Sequence, residues 1–338
     1  MRARTAVAAT GVLLLALCSS AARPSTGSAS GRMSPEARSY LSEALSLVQR
    51  HALNAAKVDW PTVRGQAFAQ AAAARTPADT YAAIRTAVAA LGDRHSRFYP
   101  AGQAAGLTAD PATVDAPTIA RLPGGIAHLT LPPVNGSERT YAEYVARGRT
   151  AVSGTEACGW VVDLRRETGG GMWAPLAVAA PLLGDGPLGA FVTADGTRST
   201  WSIRGGVPYL EDAPQAAPDT TGRTAAAPPI AVLTGPATGS AGEAVTIALI
   251  GHPDTRSFGA PTYGVPTGNE PHRLSDGAVL LLAGAAEADR TGRVHEGPIE
   301  PDEFVDPRKD DDPTLAAAVA WLSQRAACSK GRGLPGEP

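Results

Sequence analysis

Lysine is scarce in this chain of 338 residues, where it occurs only at Lys57, Lys309 and Lys330. No lysine lies between the first two of these positions, so a site in the central part of the chain has to work without a lysine amine. The formal net charge is also small, at −2. A near-neutral chain lacks the basic surface that binds nucleic acid or an anionic membrane, and we expect neither partner.

Long apolar runs are missing as well. The N-terminal apolar stretch, residues 12–17, is too short to span a bilayer well. It follows two arginines and precedes Ser20-Ala21-Ala22, small residues of the kind found at signal-peptide cleavage sites. We therefore predict a signal peptide over residues 1–22, a flexible lead-in over residues 23–32, and a secreted or otherwise extracytoplasmic protein without a stable membrane span.

Cysteine is limited to Cys18, Cys158 and Cys328. Lipid attachment at Cys18 would make a lipoprotein, but Leu17 is a poor match to the small residue that such processing prefers, so this outcome is disfavoured. Removal of the signal leaves two cysteines, which in an exported chain most simply form one disulfide. Two buried thiols are the alternative.

The rest of the composition is that of a globular chain, 43% hydrophobic and 18% charged. Residues 33–100 are predicted to form a helical N-terminal domain, because Ser34-Pro35-Glu36 is a typical helix start and apolar residues follow at helical spacing. Residues 101–120 are predicted to be a linker rich in Ala, Pro, Thr and Asp. From residue 121 to residue 330, strand and helix patterns alternate, which indicates an α/β core.

Individual elements of that core follow from apolar runs and turn residues. Asp195-Gly196 marks the turn of a hairpin. The other predicted elements are strands over residues 125–129, 159–164, 230–234 and 279–282, and helices over residues 141–152, 173–183 and 244–250 and from Asp312-Pro313 onward.

Ser240 is the strongest candidate for a catalytic residue in the sequence. It lies in a glycine-rich turn over residues 235–243, between an apolar strand and an apolar helix pattern. Unpaired N–H groups and the helix dipole favour negative charge at such a point, so the serine could be a nucleophile whose oxyanion is stabilised by backbone amides. The alternative is an ordinary serine N-cap.

Two further segments carry a similar signal. Residues 91–98 end the helical region and contain His95, whose neutral imidazole can take a serine proton near neutral pH. Residues 163–173 run from a strand through Gly169-Gly170-Gly171 into a helix, and this turn exposes N–H groups that suit a developing oxyanion. Taken alone, a triple glycine is more often simply a tight turn.

In their order and spacing, these segments resemble the tail-specific (C-terminal processing) serine protease family, in its branch with the tricorn core and interphotoreceptor retinoid-binding protein. The resemblance covers residues 59–305 or so, and includes Leu-Gly-Asp-x-His-Ser-x-Phe, Asp-Leu-Arg followed by Gly-Gly, and Ser-x-Gly-Glu. It continues through residues 256–259, 274–277 and 297–302. It implies a crotonase-like core of stacked β-β-α units, as in Clp proteases, behind a helical domain and without a PDZ domain.

The resemblance also implies roles for individual residues. Ser240 would be the nucleophile. The N–H of Ala241, together with that of Gly169 or Gly170, would form the oxyanion hole.

The general base differs between branches of the family. Many members use a lysine after a Phe-Gly turn, but Val265 occupies that position here, so a Ser-Lys dyad is disfavoured. His95 matches the histidine of the tricorn-like branch and is predicted to be the base. A carboxylate should hold its tautomer, and the resemblance places that residue late in the domain, where Glu296 is preferred over Glu300.

Other residues have simpler interpretations. Arg166-Glu167 replaces the usual Gly-Asn of the family and could reshape the oxyanion loop. Glu243 is predicted to complement the helix N-terminus, and Asp93 and Asp276 to be turn residues. The remaining histidines show no metal spacing and are predicted to be structural or exposed: His51, His128, His252, His272 and His295.

The resulting hypothesis is an exported serine endopeptidase that cleaves a peptide or protein through an acyl-enzyme, without metal or cofactor. A non-catalytic binder of apolar ligands or peptides on the same fold is the alternative; Arg166-Glu167 favours it, whereas the presence of both Ser240 and His95 disfavours it. An acyl-CoA enzyme of the crotonase type is a weaker third possibility, because export separates it from cytoplasmic substrates.

Overall fold

Two β-sheets frame the protein in a computed structural model, which describes residues 32–218, 228–306 and 311–329. The predicted mixture of strands and helices, with helices at the N-terminal end, is confirmed. The predicted signal peptide and nearly all of the lead-in lie outside the described residues. Within the described ranges, no helix combines the length and apolar character needed to cross a bilayer.

The helices of the described ranges are α1 (Pro35–His51), α2 (Trp60–Gln70), α3 (Tyr81–Ala89), α4 (Ala101–Ala104), α5 (Glu138–Ser153), α6 (Trp173–Leu183), α7 (Ala241–Leu249), α8 (Pro313–Ser323) and α9 (Ala326–Ser329). The strands are β1 (Arg97–Tyr99), β2 (Thr118–Leu122), β3 (Ile126–Thr130), β4 (Gly159–Asp163), β5 (Gly186–Thr193), β6 (Arg198–Arg204), β7 (Val207–Leu210), β8 (Ala213–Pro214), β9 (Ile230–Thr234), β10 (Thr255–Gly259), β11 (Thr267–Arg273), β12 (Val279–Asp289), β13 (Val294–His295) and β14 (Glu303–Phe304).

The first sheet is mainly parallel, in the order β14-β10-β9-β4-β3-β2, and only the β2–β3 pair is antiparallel among its described strands. Every residue of β4 and β9 is buried, as expected for parallel strands covered on both faces. These two strands are direct neighbours, with Asp163 opposite Leu233. The glycine turn after β4 and the serine turn after β9 therefore emerge side by side at the carboxyl edge of the sheet.

The second sheet is antiparallel, in the order β1-β12-β5-β6-β7-β8, with β11 and β13 also paired to β12. The hairpin predicted at Asp195-Gly196 is confirmed, since β5 pairs with β6 and the Thr193 N–H donates to the Thr197 carbonyl over 3.0 Å. β12 extends to Asp289, well beyond the four residues predicted for it, because its apolar run continues through a series of alanines.

Buried side chains of the N-terminal helices share an apolar core with the second sheet. Buried side chains of α1 and α3, such as Leu41 and Ile84, belong to one apolar cluster with Leu280 and Leu282 of β12. The segment predicted to be a linker contains α4, a 3-10 turn at Ala105–Thr108 and the start of β2. The helical part of the chain is thus packed directly onto the second sheet, close to β11.

The predicted disulfide is confirmed. Cys158 and Cys328 are bonded, with an S–S distance of 2.04 Å and their Cα atoms 4.9 Å apart. The bond ties the residue before β4 to α9, so the C-terminal segment is anchored beside the strand that leads into the glycine turn.

Breaking this disulfide should destabilise the protein. The bridge closes a loop with a sequence separation of 170 residues, and loss of such a long constraint on the unfolded chain costs about 2–5 kcal/mol. We expect the Cys158→Ala, Cys328→Ala variant to unfold at a clearly lower urea concentration than the oxidised protein. Reduction should shift the wild type similarly and leave the double variant unchanged; identical midpoints for all samples would contradict the prediction.

Candidate active site

Ser240 stands at a strained turn between a buried strand and a buried helix. β9 ends at Thr234 and α7 begins at Ala241, and the serine between them has φ 52° and ψ −109°. A non-glycine residue at positive φ is strained, and such strain clusters at functional sites, as in the strand–turn–helix turns that expose nucleophilic serines. Within the described residues, the N–H of Ala241 has no hydrogen-bond partner and remains free to bind an anion.

Glu243 fixes the serine turn through hydrogen bonds to its carboxylate. Its fully buried carboxylate accepts a hydrogen bond from the Ser240 N–H over 2.9 Å. This contact agrees with the prediction that Glu243 complements the N-terminus of the helix. The same carboxylate also accepts the N–H groups of Gly264 over 2.7 Å and Val265 over 2.8 Å, and the Thr262 hydroxyl. One side chain thus joins the serine turn to residues 262–265, so we expect its loss to disturb both at once.

The glycine turn lies directly against the serine. Gly169 and Gly170 have φ of 129° and 116°, which side chains rarely adopt. A Cβ on Gly169 would come within 3.2 Å of the Ser240 Cβ, and a Cβ on Gly170 within 2.1 Å of the Val134 carbonyl oxygen. The turn is fixed by the Gly171 N–H, which donates to that carbonyl over 3.0 Å. Only glycine allows the backbone to approach the serine this closely.

Glu167 is buried, although a glutamate is normally charged and exposed to solvent. It is fully buried, and its backbone carbonyl accepts the Gly239 N–H over 3.0 Å. Neither carboxyl oxygen has a hydrogen-bond partner among the described residues. Burial raises the pKa of this carboxyl to about 8, although the nearby Gly169 N–H acts in the opposite direction. The fold therefore favours the protonated, neutral form of Glu167, while its neighbour Arg166 is exposed.

His95 lies in the turn between α3 and β1. The Asp93 carboxylate accepts the N–H groups of His95 and Ser96 over 2.9 and 2.5 Å, which confirms Asp93 as a turn residue. The Nδ1 of His95 lies 2.6 Å from the Thr267 hydroxyl. Burial lowers the pKa of His95 to about 4; Asp93 acts against this shift and Arg97 adds to it. The imidazole is accordingly neutral at physiological pH.

The histidine turn and the serine turn meet on one short segment, residues 262–267. Tyr263 donates its N–H to the Thr238 carbonyl over 2.7 Å, and a Cβ on Gly239 would lie 3.2 Å from the Tyr263 Cβ. The Arg94 guanidinium stacks 4.5 Å from the centre of the Tyr263 ring. At the other end of the segment, Thr267 contacts His95. The structure thus gathers the serine, glycine and histidine turns in one region.

The described residues show no hydrogen bond between His95 and the Ser240 hydroxyl. Catalytic hydrogen bonds are often longer in a free enzyme and tighten when substrate binds. Any proton transfer between the imidazole and the hydroxyl would therefore require the two groups to move closer together.

Glu296 is not brought to His95 in this structure. It is exposed, forms no hydrogen bond to the histidine among the described residues, and lines a separate cavity together with Glu300 and His252. Instead, the Thr267 hydroxyl lies within hydrogen-bond distance of the His95 Nδ1. Thr267 was not predicted from the sequence, because a threonine at the start of a polar strand carries no local signal of a functional role. Val265, at the position of the family lysine, is buried.

Three of the remaining histidines have fixed structural partners, as predicted. His128 Nε2 lies 3.0 Å from an Asp163 oxygen, and His295 Nε2 lies 2.9 Å from an Asp289 oxygen. His252 Nε2 lies 3.1 Å from the Leu183 carbonyl oxygen. These imidazoles tie strands and helices together.

The chain is similar in sequence to a known protein family and to a characterised relative. A family profile described as Peptidase family S41 matches residues 125–305, more than half of the chain. The nisin-resistance protein of Lactococcus lactis subsp. lactis is 23% identical over 292 residues, which covers 86% of this chain and 88% of that protein.

Solved structures share the fold. A lipoprotein from Streptococcus agalactiae superposes with a TM-score of 0.73 at 24% identity, covering 86% of this chain and 97% of that one. The photosystem II D1 C-terminal processing protease superposes with a TM-score of 0.61 at 19% identity, covering 86% of this chain and 98% of that one. Together with the family profile, these structures confirm the resemblance to C-terminal processing proteases noted in the sequence.

Proposed function

This chain belongs to peptidase family S41, and from that premise we propose that it is an exported serine endopeptidase with Ser240 as nucleophile and His95 as general base. The observation that carries the proposal is the strained Ser240 turn, where the unpartnered Ala241 N–H and the Gly169 backbone lie beside the serine. A serine that only capped a helix would not need this backbone strain or the glycine turn packed against it.

The proposed reaction proceeds through an acyl-enzyme. His95 takes the proton of the Ser240 hydroxyl while Oγ bonds to the substrate carbonyl carbon, and the Ala241 N–H, with that of Gly169 or Gly170, stabilises the oxyanion. The C–N bond then breaks, and His95 gives the proton to the leaving amine. A water molecule, deprotonated by His95, attacks the ester; the serine recovers its proton, and the new carboxylate departs.

Thr267 is proposed as the residue that positions His95. If Nδ1 donates its proton to the Thr267 hydroxyl, the lone pair is left on Nε2, where it can act as a base. Glu296 was expected in this role from the sequence, whereas the 2.6 Å contact with Nδ1 favours Thr267. Val265 at the family lysine position, with no lysine between Lys57 and Lys309, supports histidine rather than lysine as the base.

Export is proposed from three observations. The N-terminal residues have the pattern of a signal peptide. The Cys158–Cys328 disulfide fits an oxidising compartment. The S. agalactiae relative is called a lipoprotein, and the name of the L. lactis relative connects that protein with nisin resistance. For this chain we propose a peptide or protein substrate outside the cytoplasm.

A binder of apolar ligands or peptides is the second candidate. A cavity of about 730 Å³ adjoins the glycine turn and is lined by Tyr141, Val145, Trp173 and Ala216, with Gly171 at its edge. In a peptidase, this cavity would accept an apolar side chain of the substrate. In a binder, it would hold the ligand without any reaction.

Digestion of a mixed peptide library in H₂¹⁸O distinguishes the two candidates. A peptidase produces fragments whose new carboxylates carry ¹⁸O, in amounts that exceed the amount of protein. Peptides that bind the protein but remain intact would contradict the peptidase and support the binder.

Ionisation of Glu167 should reduce the activity of the proposed peptidase at alkaline pH. Above pH 8, its ionisation would place a negative charge beside the Gly169 N–H, where the oxyanion develops. We expect kcat/KM to fall above about pH 8 in the wild type, and the fall to be absent in Glu167→Gln, which stays neutral. Arg166→Gln is the matched control and should retain the alkaline fall; a fall that persists in Glu167→Gln would contradict the role.

The same carboxyl affects stability. Its pKa is about 8 in the folded protein, above its usual value, so the fold favours the protonated form. Stability is therefore lost as pH rises from the ordinary carboxyl range towards pH 8, by up to about 1.4 kcal/mol per pH unit. Urea unfolding between pH 5 and pH 8 should show a flatter pH dependence for Glu167→Gln than for the wild type.

A further inference from the structure

Two histidines and a glutamate from distant parts of the sequence meet where α1 approaches β11. His51 is the last residue of α1, whereas Glu270 and His272 lie two positions apart on β11 and so share one face of the strand. One nitrogen or carboxylate oxygen from each residue lies within 4.8 Å of those of the other two. We propose that these three side chains form a binding site for a divalent transition-metal ion such as Zn²⁺.

The present contacts leave these groups without better partners. The two imidazole rings lie 4.4 Å apart between centroids, and His272 Nε2 is 4.0 Å from a Glu270 oxygen, too far for a hydrogen bond. His272 Nε2 is shielded from solvent and has no hydrogen-bond partner among the described residues. A buried polar nitrogen without a partner is costly, and a metal ion would supply the missing interaction.

The donor set identifies the class of ion. Two imidazole nitrogens and one carboxylate oxygen suit Zn²⁺ and its transition-metal neighbours, whereas Ca²⁺ and Mg²⁺ prefer oxygen ligands throughout. With metal–ligand distances of about 2.0–2.2 Å, the three donor atoms must draw somewhat closer together than they are now. His51 and Glu270 are exposed, so their side chains can rotate to do this. The fourth position would be filled by water.

The location favours a cation for a second reason. His51 ends a helix of 17 residues, and positive charge is stabilised at a helix C-terminus. A bound ion would also join α1 to β11, the strand whose first residue, Thr267, contacts His95. The ion would therefore stabilise the packing of the N-terminal helices on the sheet that carries the histidine contact.

This site has no sequence signature. The histidines were predicted to be structural or exposed because His51 lies far from His272 in sequence and no short metal motif includes either. The site exists only because α1 packs on the edge of the second sheet.

Metal binding to the mature, disulfide-intact protein tests the proposal without any peptidase assay. After treatment with a chelator and its removal, titration with ZnCl₂ should show one ion bound per chain. Co²⁺ should give the visible absorption of a site with nitrogen and oxygen ligands. The melting temperature should rise with zinc concentration, because the ion binds the folded chain.

Variants identify the ligands. His272→Gln and His51→Gln should each weaken zinc binding by at least about 10-fold and reduce the zinc-dependent shift in melting temperature. Glu300→Gln, at a glutamate in a separate cavity, is the matched control and should bind as the wild type does. No binding by the wild type, or binding that both histidine variants retain, would overturn the assignment.

Discussion

Replacement of Ser240 by alanine is expected to lower kcat for peptide hydrolysis by about 10⁴-fold or more, because no acyl-enzyme can form without the hydroxyl. The fold should survive. Glu243 still accepts the N–H of residue 240 and still holds residues 264 and 265 through their own N–H groups. Loss of the serine as a helix cap would cost about 0.5–2 kcal/mol, which shifts the melting temperature by only a few degrees.

Progress curves with a cleaved library peptide, together with thermal unfolding by circular dichroism, measure both parts of this prediction. Ser46→Ala is a suitable control, because within the described residues the Ser46 hydroxyl donates only to the Ser42 carbonyl of its own helix α1 and lies outside the site. Hydrolysis by Ser240→Ala at more than a few per cent of the wild-type rate would remove Ser240 from the proposed mechanism.

Replacement of His95 by alanine should lower kcat by about 10³–10⁴-fold, because the serine then loses its proton acceptor. KM should change little, since the imidazole acts on the serine rather than on the bound peptide. In the wild type, burial lowers the pKa of His95 to about 4, so the base is neutral above that pH. The acid limb of kcat/KM is therefore expected near pH 4, well below that of an exposed histidine.

Thr267→Val separates positioning from catalysis. Valine keeps the shape of threonine and removes the hydroxyl that contacts Nδ1. We expect a lower kcat, an unchanged KM and a displaced acid limb. Full activity of His95→Ala would contradict His95 as the general base. An unchanged pH profile of kcat/KM in Thr267→Val would contradict Thr267 as the residue that orients His95.

The parts of the fold that frame the site were predictable because their signals are local. β4 and β9 are buried on both faces, so each appears in the sequence as a short, mainly apolar run, and α6 was predicted with the bounds that it has in the structure. The disulfide followed from a simple count, because a chain without the predicted signal peptide would hold only Cys158 and Cys328. The family profile confirms the resemblance that these segments suggested.

The parts that were not predictable depend on contacts between distant segments. Thr267 meets His95 across 172 positions of sequence, and no local pattern indicates this contact. Glu167 is of a type that is normally charged and exposed, yet it is fully buried, and a Cβ on Gly242 would lie only 2.8 Å from one of its carboxyl oxygens. Glu287 is likewise fully enclosed; burial raises the pKa of its carboxyl well above the usual value, and the charge of Glu243 adds to this shift.

Labelling with a fluorophosphonate probe tests the central claim most directly, because the probe reacts only with an activated serine and needs no knowledge of the substrate. The purified mature protein should be labelled once, and peptide mapping should place the label on Ser240. Ser240→Ala should take no label, and His95→Ala should react far more slowly. Equal labelling of wild type and Ser240→Ala, or no labelling of a folded, disulfide-intact wild type, would contradict Ser240 as an activated nucleophile.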